Sequence, residues 1–235
     1  MVFGKRRSKE QAPPVEAVGW EDVRRFTVGR TERSVVHAKK PQLGRLAVRV
    51  PSQTKNVHTY APCAYFRTDH PTSNLFEPVL YEDEAAQRIL CAVDEPVDVG
   101  KEVHRIVRDG EGEAIGTLRR IPSANRMAHH TWRIDQPGRP EISGRSQWSL
   151  AHNTPKGLAM RGLVSTVDLI LEAAADGDTP VSRGRTLEWH CEADLVMTSK
   201  GLPQIDRSMD VSIKVGWLDR RLAFVLAMVA DFPDK

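Results

Sequence analysis

Near its end the chain reads Asp219-Arg-Arg-Leu-Ala-Phe-Val-Leu-Ala-Met-Val-Ala-Asp231-Phe232-Pro233, and every residue from Leu222 to Ala230 is apolar. No face of such a segment is prepared for water. Alanine, leucine and methionine outnumber the β-branched residues, which favours helix over strand. Asp219 stands where a capping side chain would accept a bond from a first-turn N–H, and Pro233 forbids continuation beyond Phe232. The pattern predicts a helix over 220–232, apolar all round, which must therefore be enclosed by protein or lipid. At roughly 12 residues it spans about 18 Å, whereas a bilayer core of about 30 Å needs about 20 residues. Enclosure by protein is the better fit, and a barrel wrapped around its own C-terminal helix supplies it.

The chain before the helix has the texture such a barrel requires. Val103-His-Arg-Ile-Val-Arg108 alternates apolar and polar residues, the mark of a half-buried strand. Asp109-Gly-Glu-Gly112 supplies turn chemistry, and Ala114 to Arg119 is the partner strand. Pro78–Glu82 and Arg88–Val93 form a second hairpin about a turn at Asp83–Gln87. His130–Asp135 and Glu141–Arg145 form a third about Gln136–Pro140. Further strands are predicted at Thr186–Glu192, Asp194–Thr198 and Val211–Trp217, and a helix at Leu163–Ala175, stopped by Asp176-Gly177. Upstream, Leu43–Val50 reads as a strand ended by Pro51, and Pro62–Pro78 as a long loop. Trp20–Thr27 is undecided between helix and strand. Residues 1–18 read as a disordered tail, charged and Pro-containing with almost no apolar periodicity. The domain expected from this reading covers 76–235, with 19–75 as a segment that contributes strands.

Length and composition suit one large all-β domain: 235 residues, 40% hydrophobic and 28% charged. Three cysteines, odd in number and widely spaced, fit a reducing cytoplasm rather than a disulfide scaffold. The basic N-terminus lacks the apolar stretch of a secretory signal. A net charge of +3 conceals an asymmetry. Residues 1–75 carry 14 basic and 6 acidic side chains, a balance of +8, so the remaining 160 residues carry −5. A basic first third could attract an anionic surface or lie over the acidic body of its own molecule.

The hairpin Val107-Arg-Asp-Gly-Glu-Gly-Glu-Ala-Ile-Gly-Thr-Leu-Arg-Arg120 and the ending Val215-Gly-Trp-Leu-Asp219-Arg-Arg-Leu-Ala to Asp231-Phe232 are similar to those of the tubby C-terminal-like superfamily. That superfamily includes the LURP-one-related proteins and the phospholipid scramblases. The resemblance covers roughly residues 76–235 and implies a mainly β fold: a closed antiparallel barrel of about twelve strands around a buried C-terminal helix. About nine strands are countable after Phe76, so Leu43–Val50 or the region of Tyr60 must supply others. The cysteine-rich and acidic calcium-binding segments of scramblases are missing, since Ser212-Ile-Lys-Val-Gly-Trp-Leu leads into the helix. The resemblance implies binding of a phosphoinositide-like headgroup by basic side chains of the wall. Arg119, Arg120, Arg126 and Arg133 are the ligand-binding candidates, because arginine suits bidentate phosphate recognition. Solvated strand positions with acidic neighbours are the competing reading of the same four residues.

Other motifs carry less chemistry. His129-His130 are neighbours whose side chains diverge in strand or helix, so they are poorly placed to chelate one metal ion. Trp189-His190-Cys191-Glu192 holds a nucleophile, a base and a carboxylate, but strand neighbours aim apart and a buried structural Cys191 accounts for it better. Asp109-Gly-Glu-Gly-Glu113 lacks the ligand spacing of a calcium loop. No metal or cofactor is expected, and no catalytic set is assigned. Few aromatics interleave with the basic residues, which argues against nucleic acid. The expected function is a non-enzymatic binding module for an anionic phospholipid headgroup or a protein partner, cytoplasmic or membrane-peripheral. A hydrolase-like His/Cys/Asp site assembled only by folding is the alternative.

Overall fold

The computed structural model describes residues 15–35, 40–67, 79–122, 131–146, 186–204 and 207–229, and among these described residues are thirteen strands and one helix. The strands are β1 (Arg25–Val35), β2 (Gln42–Thr54), β3 (Val57–Phe66), β4 (Val79–Tyr81), β5 (Ile89–Val93), β6 (Val97–Val99) and β7 (Glu102–Asp109). They continue with β8 (Ala114–Ile121), β9 (Thr131–Asp135), β10 (Ile142–Ser146), β11 (Thr186–Cys191), β12 (Asp194–Gln204) and β13 (Arg207–Ile213). Helix α1 is Arg220–Val229. Each strand pairs with the next in sequence except β5 with β6; of the further pairings, β1 with β13 and β5 with β7 close the sheet, and the end of β1 also pairs with β3. The result is a closed antiparallel barrel of twelve strands. The remaining strand, β6, prolongs the line of β5 along β7, joined by a bond from Asp94 N–H to Ile106 O at 2.9 Å.

Closure creates an interior, and α1 fills it. The helix touches β5 and β8 on one side of the ring and β13 on the opposite side. Nine of its ten residues are buried, and Phe224 meets Phe26 of β1 edge-on with ring centroids 4.8 Å apart. Asp219 caps it as expected: its Oδ1 accepts from Arg221 N–H at 2.9 Å. The strands turn Leu118, Ile134, Ile142, Trp189 and Val211 toward it, each at most 2% exposed. Where the helix comes closest there is no room for a side chain. A Cβ on Gly116 would lie 2.6 Å from Asp135 O and 2.9 Å from a Leu222 methyl.

Two upstream expectations are corrected. Pro51 does not end its strand: β2 continues to Thr54, with Pro51 paired to Tyr60. Beyond Arg49 that strand is paired on the β3 side alone, where a proline is tolerated. Pro51 has no N–H for the Tyr60 carbonyl, and the side chain of Arg49 donates to it instead at 3.0 Å. The same guanidinium, 1% exposed, donates to Gly29 O and Arg45 O and pairs with Glu32. It thereby serves carbonyls of three strands where the β1–β2 register slips. Residues 62–66 are strand rather than loop, because Cys63, Ala64, Tyr65 and Phe66 are apolar and buried, and the polar run begins only after them. The undecided segment Trp20–Thr27 becomes strand from Arg25.

The hairpins Val79–Val93, Glu102–Ile121 and Thr131–Ser146 form as predicted. The helix at 163–175, residues 1–14 of the tail and the end of the C-terminal helix beyond Val229 lie outside the described residues. Of the tail's last residues, Val18 N–H donates to Pro62 O at 2.9 Å. Among the described residues no helix is long and apolar enough to cross a membrane.

Leu226 is 1% exposed at the centre of the helix. Leu226→Asp buries a carboxylate at a cost of several kcal/mol, against a total stability of about 5–15 kcal/mol. The variant is expected to be insoluble or unfolded by circular dichroism. A soluble variant with an unchanged melting transition would take the helix out of the interior.

Candidate functional site

The hairpin β7–β8 places the arginine candidates. Its turn is shaped by Asp109, whose Oδ1 accepts from the N–H groups of Glu111 at 3.1 Å and Glu113 at 2.9 Å, while Gly112 takes φ +90°. The carboxylate therefore organises a turn. Past a register slip between Val107 and Arg108 the two strands pair regularly from Val107–Gly116 to Val103–Arg120. His104 pairs with Arg119, and Arg119 with Arg133, forming one row on the outer wall across β7, β8 and β9.

Adjacent residues of a strand face opposite ways. Arg120 shares the parity of Leu118 and pairs with Trp132, and so belongs to the inner face near the barrel's end. Arg119 and Arg133 are thus brought together, Arg120 is set on the other side of the sheet, and Arg126 lies outside the described residues.

Two arginines directly opposed would repel. Three carboxylates hold them. Arg119 Nε donates to Asp135 Oδ2 at 2.5 Å and Nη2 to Oδ1 at 3.2 Å, Nη1 donates to Glu102 at 3.0 Å, and Nη2 also meets Glu141. Arg133 Nη1 donates to both oxygens of Glu141, at 2.7 and 2.9 Å. His104 Nε2 adds a contact to Glu102 at 3.0 Å. The bonds to Asp135 chiefly push the Arg119 pKa up, against the desolvation of a side chain only 17% exposed. The bond from Arg119, followed by that from His104, holds Glu102 below the ordinary carboxylate value. Two guanidiniums against three carboxylates make this wall a mixed-charge surface. An anionic ligand reaching Arg119 has to displace a carboxylate.

The other sequence candidates separate as alternation requires. Along β11, Trp189 and Cys191 turn inward while His190 turns outward to Glu188, 3.2 Å away. Trp189 Nε1 donates to Ser199 at 3.0 Å, and its ring lies where a Cβ on Gly144 would stand. Cys191 Sγ donates to Pro140 O, and burial raises its pKa. Burial pushes Cys63 and Cys91 to about 12, so both remain protonated thiols at neutral pH.

Glu102, Asp135 and Glu141 were missed as members of the site. They stand 17, 16 and 22 residues from Arg119, and only strand register brings them to it. The available signal was parity: Asp135 is two residues from Arg133 and so shares its face.

The Glu102 shift has a definite pH consequence. A carboxyl depressed in the folded state adds stability above its unfolded pKa and loses it as pH falls through the folded value. Arg119→Gln should therefore lower the melting temperature most at neutral pH. The gap from the parent should close as pH falls through the depressed pKa. Thermal melts across that range check this, and a gap constant with pH would overturn it.

No protein-family profile, no curated protein and no solved structure matches this chain.

Proposed function

We propose that this protein is a non-enzymatic, tubby-like binding module that works from its outer surface on an anionic phospholipid headgroup or a protein partner. The observation that carries this reading is the filled interior. A barrel can hold a ligand in its lumen, but here the lumen is taken by α1, whose residues Leu222–Val229 are at most 9% exposed. Contact with anything else is left to the wall and the mouths. The protonated, buried thiols of Cys63 and Cys91 weigh against the alternative of cysteine hydrolysis.

Charge divides the two classes of partner on the wall. The Arg119 row is already neutralised by its own carboxylates, which suits a partner carrying both signs, such as a protein surface. An anionic headgroup gains less there than at a row of unpaired cations.

Co-sedimentation with liposomes of varied headgroup, with a no-lipid control, tests the lipid branch. Phosphoinositide vesicles are expected to retain the protein at low salt and release it as salt screens the contact over about 10 Å at 0.1 M. Loss of retention in Arg119→Gln/Arg133→Gln would place the contact on the wall. Loss on deleting residues 1–14 alone would place it on the basic tail. Failure to bind any anionic vesicle rejects the lipid branch in favour of a protein partner.

A further inference from the structure

The mouth of the barrel where α1 begins holds cations of a different standing from those on the wall. Arg220 is the first residue of the helix and is 5% exposed. Its Nη1 donates to Leu218 O, while its Nε is buried without a hydrogen-bond partner. A guanidinium has five donors and no way to shed its charge at ordinary pH, so burial without an anion is costly. Burial pulls the Arg220 pKa down, and the positive charge of Arg24 pulls it down further.

Arg24 is anchored beside it. Its carbonyl accepts from Ile213 N–H at 2.7 Å, and its exposed side chain reaches over Gly216, with Nη2 4.0 Å from where a Cβ there would stand. Neighbouring arginines have anions of their own. Arg25 is bidentate to Asp210, and Arg221 takes both oxygens of Asp219. Asp219 is thus committed to another cation, leaving exposed Asp22 as the other carboxylate acting on Arg220. With Asp219 held by Arg221, Arg220 is left with the exposed carboxylate of Asp22 against the charge of Arg24.

We propose that Arg24 and Arg220 form an oxyanion site that takes a phosphate monoester. Two guanidinium forks on one tetrahedral dianion satisfy the chemistry both lack: charge for the repelling pair, and acceptors for donors that have none. Arg220, fixed by the helix and by Leu218, is the preset half, and exposed Arg24 is the half that closes. The loop leading into Arg220 is held by Gln136, which donates to Trp217 O and accepts from Asp219 N–H, each at 3.0 Å. This site is made of residues other than those of the Arg119 wall and does not depend on the wall binding anything.

Inorganic phosphate is the first probe, set against chloride at matched ionic strength, with the melting temperature of the full chain as readout. Phosphate is expected to raise it. Arg24→Gln changes an exposed side chain, so it should fold, and should weaken phosphate binding by roughly tenfold or more, the worth of one charge-assisted bond. Arg24→Glu supplies Arg220 with an internal counter-ion. It should melt higher than the parent without phosphate and gain nothing from phosphate. Phosphoinositide vesicles, against phosphatidylcholine vesicles, identify the source. Retention lost in Arg24→Gln marks a lipid headgroup, and a phosphate effect without retention marks a soluble phosphate ester. No phosphate effect on the parent, or one unchanged in Arg24→Gln, overturns the site.

Discussion

An apolar helix with no wet face is the constraint from which the rest of this molecule follows. Burying α1 on all sides requires a wall that closes, and a twelve-strand ring leaves a lumen wide enough for a helix, where smaller barrels are filled by side chains alone. Closure in turn requires β1 to meet β13, so the first described strand and the strand before the helix are neighbours. The helix also sets limits on individual positions. Gly116 is a glycine because Leu222 and the Asp135 carbonyl occupy the space a Cβ would take. Gly144 yields its space to the Trp189 ring, which itself fills a gap in the lumen.

A closed wall carries geometric costs of its own, and charged side chains absorb them. At the β1–β2 slips and opposite Pro51, backbone carbonyls lack ladder partners, and Arg49 supplies those of Gly29, Arg45 and Tyr60 with donors from one guanidinium. Its burial is costly, as its depressed pKa indicates, yet each bonded carbonyl would otherwise be a buried acceptor without a donor. Arg119 does related work on the opposite side of the sheet's economy of charge. It ties β7, β8 and β9 together through carboxylates on separate strands and on the β9–β10 turn.

Fold was legible where one physical rule was enough. Period-two alternation located β7, turn chemistry at Asp109–Gly112 located its partner β8, and unbroken apolarity located α1. Legibility failed where tertiary context overrode a local signal. Pro51 reads as a strand stop until the loss of one neighbour and the donor from Arg49 remove its penalty. Residues 62–66 read as loop because one proline and the polar run after them outweigh four buried apolar residues. The wall site was half legible. Proximity in sequence suggested that Arg119 and Arg120 act together, whereas alternation puts them on opposite faces, and the carboxylates that engage Arg119 come from other strands.

What separates the arginines of this protein is where each finds its negative charge. Arg119 and Arg133 take theirs from carboxylates across the sheet, Arg25 and Arg221 from single aspartates, and Arg49 largely from carbonyl dipoles plus Glu32. In each case a negative group of the molecule already faces the guanidinium, so an external anion gains only the difference between itself and the group it displaces, although Arg133 Nε, like Arg220 Nε, is buried without a hydrogen-bond partner. Arg220 differs in being buried like Arg49, with its Nε unmatched, while Arg24 adds positive charge and Asp219 and Asp22 act on it only at a distance. Density of arginine in the sequence therefore does not reveal which guanidiniums are already paired. The informative quantity is the charge left unbalanced after internal pairing, and Arg220, buried beside the charge of Arg24, is less well balanced than Arg119, which three carboxylates hold.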